Sequence, residues 1–159
     1  MYEIEGGVPV TINKKQYTLV HTYAATKAVA SRYGGVRQMV LKVSGPADEE
    51  GDAPETLAEK AKAREKARID SLDEIPWLIA LHANQGIMLE TGNTDPKNPD
   101  LLTPEKVGLI LPKYAGPLTE SVMEAIRQGM GVEHQPGEDE EEDVVLTELD
   151  LKNATGAAE

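Results

Sequence analysis

The chain has 159 residues, no cysteine and no phenylalanine, and a formal net charge of −12. From Val132 onward ten acids face one base, Lys152, so that stretch holds about nine of the excess negatives and the body is near balance. This excludes a nucleic-acid mimic and a basic nucleic-acid binder, disulfides and thiolate chemistry, and offers no apolar run that reads as a signal peptide or membrane span.

With so few aromatics the core must be aliphatic, and Trp77 is its one expected large anchor. The segment Val10–Val43 reads as the unit around which the rest is organised. Val8, Val10 and Ile12 alternate with Pro9, Thr11 and Asn13, the period-2 pattern of a half-buried strand. Pro9 confines that strand to an edge or to its first residue. Asn13 to Gln16 is a polar turn, and Tyr17, Leu19 and His21 alternate on the return strand, which makes a hairpin. Thr22 is the expected N-cap of a helix whose stripe is Ala25, Val29 and Tyr33, with Gly34 as its C-cap. Val36, Met39, Val40 and Val43 follow at the spacing of a second short helix.

Residues 44–55 (SGPADEEGDAPE) read as a linker with nothing to bury. Thr56–Asp70 has strong helix propensity but no apolar face, so it is expected to be a solvated extension. A new helix is then expected: Ser71 to Glu74 matches a capping box, and Asp73 as cap would put Pro76 in the first turn. That helix, EIPWLIALHANQGI, is apolar nearly all round and so is expected at the centre of the core. Thr103-Pro104-Glu105 starts another helix, with Val107, Ile110, Leu111 and Tyr114 as its buried stripe and Pro112 as its kink or end. Leu118, Val122, Ala125, Ile126 and Met130 mark a last amphipathic helix, frayed by Gly129 and Gly131.

The fold class expected is mainly α, a small α+β variant: an N-terminal hairpin on a compact bundle of about five helices. Residues 1–131 form one domain, with 44–70 as linker plus helical insertion, and 132–159 form an acidic, disordered tail. In that tail the run Glu138–Asp143 cannot fold on itself at neutral pH. Val144, Val145, Leu146, Leu149 and Leu151 follow it directly, a candidate partner-binding segment behind an acidic spacer. Met123 and Met130 are further partner-binding candidates, although filling the core is the simpler role for both.

Catalytic and metal-binding patterns are missing. His21, His82 and His134 lie in three settings without metal-ligand spacing, and His82 reads as a satisfied core histidine. Gly34-Gly35 is a helix break and not a phosphate loop. Asp95, Asn98 and Asp100 lack the spacing of a calcium loop. No carboxylate is visibly set on an apolar face where its pKa would rise. The expectation is a protein that is not an enzyme and takes no cofactor.

The hairpin TINKKQYTLV, a Thr-started alanine-rich helix ending at Gly-Gly, the helix PWLIALHANQG, the segment LTPEKVGLIL and a closing amphipathic helix form an ordered series. In order and spacing, this series resembles the small tail assembly chaperones of siphophages and gene transfer agents. The resemblance covers about Val8 to Gly131, interrupted by the insertion. It implies a mostly helical protein of the host cytoplasm, absent from the mature virion. Its partner would be the tape measure protein, a long helical chain kept soluble until tail-tube subunits displace the chaperone, and the tail tube protein would be a second contact. It implies neither nucleic-acid nor membrane partners, leaves self-association open, and carries no catalytic residue over. The competing reading is a structural virion component, a head–tail connector or minor tail protein.

Overall fold

Alternation of apolar and polar residues at the N-terminus folds as expected into two antiparallel strands, β1 (Val8–Ile12) and β2 (Lys15–Leu19). This is a computed structural model, which describes residues 7–113 and 115–130. Val10, Ile12, Tyr17 and Leu19 point into the core, while Pro9, Thr11, Lys15 and Gln16 face solvent. The turn is shorter than the four residues expected. Ile12 pairs with Lys15, and only Asn13 (φ 50°) and Lys14 (φ 69°) lie between them. Both adopt the left-handed conformation, because that mirror-image turn matches the twist of the flanking strands.

Helix α1 (Tyr23–Tyr33) begins at Thr22, whose Oγ1 accepts from Ala25 N at 3.1 Å. It stops at Gly34, which sits at φ 95° and donates its N–H to Ala30 O. Only glycine takes that conformation without penalty. Helix α2 (Val36–Ser44) buries Met39 and Val43 and leaves Leu41 and Val40 at the surface.

The next helix departs from expectation. α3 is continuous from Pro54 to Thr91, 38 residues with Pro76 inside it, where two helices were expected. Ser71 does not cap: its Oγ donates back to Arg68 O at 2.7 Å, a bond compatible with uninterrupted helix. Pro76 removes one ladder donor, a local cost of about 3 kcal/mol. The burial of Ile75, Leu78 and Ile79 around it offsets that loss.

The first half of α3 is not merely solvated, and residues 45–53 are not a free linker. Arg64 Nη1 donates to Pro46 O and to Asp48, at 2.9 and 2.8 Å. Lys60 Nζ reaches Ala47 O at 3.0 Å and Asp52 at 2.8 Å, and Glu49 N closes a turn onto Asp52. The bases of α3 therefore hold the acidic loop across the helix. The exposed Arg64–Asp48 pair adds little, but the bonds from Lys60 and Arg64 to backbone carbonyls fix the path of the loop.

Helix α4 (Pro104–Ile110) starts at Thr103, whose Oγ1 accepts from Lys106 N at 3.1 Å, and it ends before Pro112. Thr103→Ala should cost about 1 kcal/mol, read as a lower urea midpoint at unchanged slope. Helix α5 (Gly116–Gly129) buries Leu118, Val122, Ala125 and Ile126, four of the five residues expected on its stripe, while Met130 caps its end and is half-buried. Gly129 does not fray the helix; it is a point of close contact, described below. Tyr114, Gly131 and the expected acidic tail lie outside the described residues.

Helix makes up 64% of the described residues, and the hairpin supplies the strands, so the class is mainly α. The core is aliphatic, with Ile12, Leu19, Val29, Met39, Leu78, Ile79, Val107 and Val122 fully buried. The second half of α3 lies at its centre, packed by β2, α1, α4 and α5. Trp77 is not the core anchor expected: it is half-buried at the rim, packed beside the cluster. Among the described residues no helix is long and apolar enough to cross a membrane.

Candidate functional site

Glu74, Leu78 and His82 recur every four residues along α3 and so share one face of the helix. That face meets α1, and two of its three residues are polar. Each polar residue is the centre of a buried clamp, one at either end of α1.

The first clamp joins two histidines that lie 61 residues apart in the chain, and so corrects the expectation of three separate settings. His21 and His82 are 3% and 0% exposed, and their rings stack with centroids 5.1 Å apart. His82 Nδ1 lies 2.7 Å from Leu78 O, an acceptor only, so Nδ1 holds the proton and donates it. The free nitrogen of His82, Nε2, then accepts from His21 Nδ1 at 2.9 Å. His21 Nε2 in turn accepts from Thr26 Oγ1 at 2.8 Å. Both rings are neutral in this chain of bonds. Burial lowers the pKa of His21 from 6.5 to about 4, with His82 adding to the effect. Burial lowers His82 to about 4 as well, against a smaller opposing pull from the Leu78 carbonyl.

The same corner is held by backbone contacts. Val20 N donates to His82 O at 3.2 Å, and Thr22 Oγ1 donates to Gln85 Oε1 at 2.5 Å. A methyl group at Gly86 would overlap Thr18 O, and one at Gly129 would overlap His21 O. Glycine at these two positions lets α3 approach the backbone of β2, and α5 that of the β2–α1 connection, directly.

The second clamp surrounds Glu74, which is 8% exposed. Its Oε1 accepts from Tyr33 Oη at 2.6 Å and from Arg32 Nε at 3.0 Å. The Arg32 guanidinium also lies 4.5 Å from the centre of the Trp77 ring, which Tyr33 meets edge-on at 5.8 Å. Burial pushes the Glu74 carboxyl up, but the bonds from Tyr33 and Arg32, with Lys42 nearby, leave it below the usual carboxylate range. Burial and the Glu74 bond push the Tyr33 hydroxyl up, so it stays a donor. Sequence reasoning thus missed a carboxylate on the buried face of this helix, although its pKa is lowered and not raised. The signal was the four-residue spacing of Glu74, Leu78 and His82 in an otherwise apolar helix.

These clamps fasten helices; neither ring of the histidine pair reaches solvent. Among the described residues no three metal-ligating side chains gather around one point. An open cleft of about 250 Å³ runs between β2 and the end of α3, bordered by Lys15, Tyr17, Ile87, Glu90 and Asp100. A different feature faces outward. Ile69 and Leu72, one turn apart on α3, are 60% and 73% exposed, and Leu41 on α2 is also uncovered.

Of the residues singled out for partner binding, Met123 and Met130 are half-buried against the core. Val144, Val145, Leu146, Leu149 and Leu151 lie outside the described residues. No family model, no curated protein and no solved structure matches the chain.

Proposed function

We propose that this chain is a tail assembly chaperone that holds the tape measure protein in solution until tail-tube subunits polymerise around it. The observation that carries the reading is the outward apolar pair Ile69 and Leu72 on the long helix α3. A helical client with exposed apolar stripes is held by apolar side chains at helical spacing, not by a polar active site. The order of hairpin, Thr22-capped α1, short α2, the PWLIALHANQG stretch of α3, Thr103-capped α4 and amphipathic α5 also supports it. That is the order on which the resemblance rests.

The energetics suit a holder that must later be displaced. Full burial of an aliphatic side chain is worth about 1.5–3 kcal/mol. Association itself costs roughly 4–15 kcal/mol, so one copy binding through one small patch holds weakly. Many copies along one long client supply avidity without making any single contact hard to displace. The acidic residues after Glu138 would keep such a protein soluble at high local concentration.

Co-expression with a long helical tape measure protein should raise the soluble fraction of that client and yield a complex that co-purifies. The double substitution Ile69→Asp, Leu72→Asp should reduce both while costing only about 1–2 kcal/mol of stability, from lower helix propensity and the nearby acids Glu65 and Asp73, because little apolar area is lost from the core. Unchanged client solubility and no complex with the unaltered chain would refute the reading. A structural virion component would instead be found in purified particles at fixed copy number, where a chaperone is absent.

A further inference from the structure

The two clamps pin opposite ends of α1 to α3, and they are built from different chemistry. At the N-terminal end, His82 receives His21 and Val20, Gln85 receives Thr22, and the last turn of α5 rests on His21 O through Gly129. At the C-terminal end a carboxylate receives an arginine and a tyrosine.

We propose that the His21–His82 pair is a proton-operated latch. In mildly acidic solution it releases the β2–α1 corner and the final turn of α5, while the Glu74 clamp keeps the other end of α1 in place.

The bond pattern shows how protons would act. His82 Nδ1 and His21 Nδ1 already carry protons, so the acceptors left are His21 Nε2 and His82 Nε2. A proton on His21 Nε2 faces Thr26 Oγ1, which accepts it by turning its own hydrogen to Thr22 O, 3.3 Å away. A second proton, on His82 Nε2, then faces the N–H of a His21 already protonated on both nitrogens, donor against donor, and the 2.9 Å bond breaks. Among the described residues no carboxylate is at hand to accept an imidazolium. On the surrounding elements Lys15 of β2 lies over the Tyr17 ring, and Glu74 of α3 is held by Arg32 and Tyr33. Glu124 of α5 bonds Arg127 and Gln128, and Lys27 of α1 and Glu90 of α3 are exposed. Besides burial, what acts on each ring is the other histidine for His21 and the Leu78 carbonyl for His82.

The direction follows from linkage. An open corner takes up protons as pH falls through 6.5, the ordinary value, whereas the closed pair resists until about 4. Acidification through that window therefore favours opening, and the latch is fully closed above it. Glu74, held below the usual 4.5, keeps its charge over the upper part of the same window. With two rings released together, the opening constant should rise roughly 30-fold between pH 6.5 and 5.5. The latch does not depend on the proposed function.

The test is amide hydrogen exchange, corrected for intrinsic rates, with nuclear magnetic resonance of the imidazole rings on the full chain carrying His134→Gln. Protection at the Val20 and Met130 amides should fall roughly 30-fold from pH 6.5 to 5.5. Protection at Gly34, at the Glu74 end of α1, should stay within a few-fold. In a His82→Gln background, whose amide oxygen still accepts from His21, the fall at Val20 should shrink to about fivefold. The latch is refuted if both rings titrate near 6.5 with Val20 still protected, or if all core amides lose protection together. The His134→Gln chain alone decides between these outcomes should His82→Gln fail to fold.

Discussion

Gly86→Ala should destabilise the protein by about 2–4 kcal/mol, the largest effect expected of a methyl group added at any described glycine. The added Cβ would lie against Thr18 O, with Thr18 C only 3.0 Å away, and both atoms belong to backbone. Backbone cannot swing aside as a long side chain would. To make room, α3 would have to retreat from β2, loosening the Val20–His82 bond and the histidine pair one turn away. Gly108→Ala is the control. Gly108 lies in α4, and a methyl group there would meet nothing within 4 Å, so the substitution should be neutral or stabilise by about 0.5–1 kcal/mol. Urea unfolding of the two variants measures both, and equal midpoints would show that α3 and β2 are not in direct backbone contact.

Arg32→Met should cost about 2 kcal/mol at neutral pH, because it leaves the buried Glu74 carboxylate with Tyr33 as its hydrogen-bond donor. The figure is held below that for a fully buried pair because Arg32 is 38% exposed at its side chain. The pH dependence identifies the cause. In the unaltered protein the Glu74 carboxyl is held below its ordinary 4.5, so its contribution is present above that pH and is lost as pH falls through the folded value. Without Arg32, burial dominates and the carboxyl moves up. The variant then sheds its penalty as the group protonates, and the gap between the two proteins should narrow from pH 7 to pH 5. Paired urea titrations at the two pH values read this directly. A gap that stays constant would mean that Arg32 acts through its packing over Trp77 and not through the charge of Glu74.

Much of the local architecture was legible before any fold was known. The Thr22 and Thr103 caps, the stop at Gly34, the hairpin alternation and the buried stripe of α5 all occur where residue type and spacing put them. The candidate site was only half legible. His82 reads as a buried, satisfied histidine, and it is one, but no spacing rule pairs it with a residue 61 positions away. Glu74 was missed because acids beside Ser71 and Asp73 look like helix-start chemistry, and that appearance hid its place on the buried face.

The sequence by itself determined the elements whose causes are local. An orphan N–H needs a nearby acceptor, a left-handed residue needs to be glycine, and a half-buried strand needs period-2 alternation. Tertiary structure alone decided that α3 runs unbroken through Pro76, that Lys60 and Arg64 hold the 45–53 loop, and that Gly129 is a contact rather than a frayed end. Tertiary structure also made one buried clamp from His21 with His82 and another from Glu74 with Arg32 and Tyr33. Local breaking signals are worth about 1–3 kcal/mol each. Burying three neighbouring aliphatic side chains on a shared face outweighs them, and which faces are shared is known only once the chain has folded.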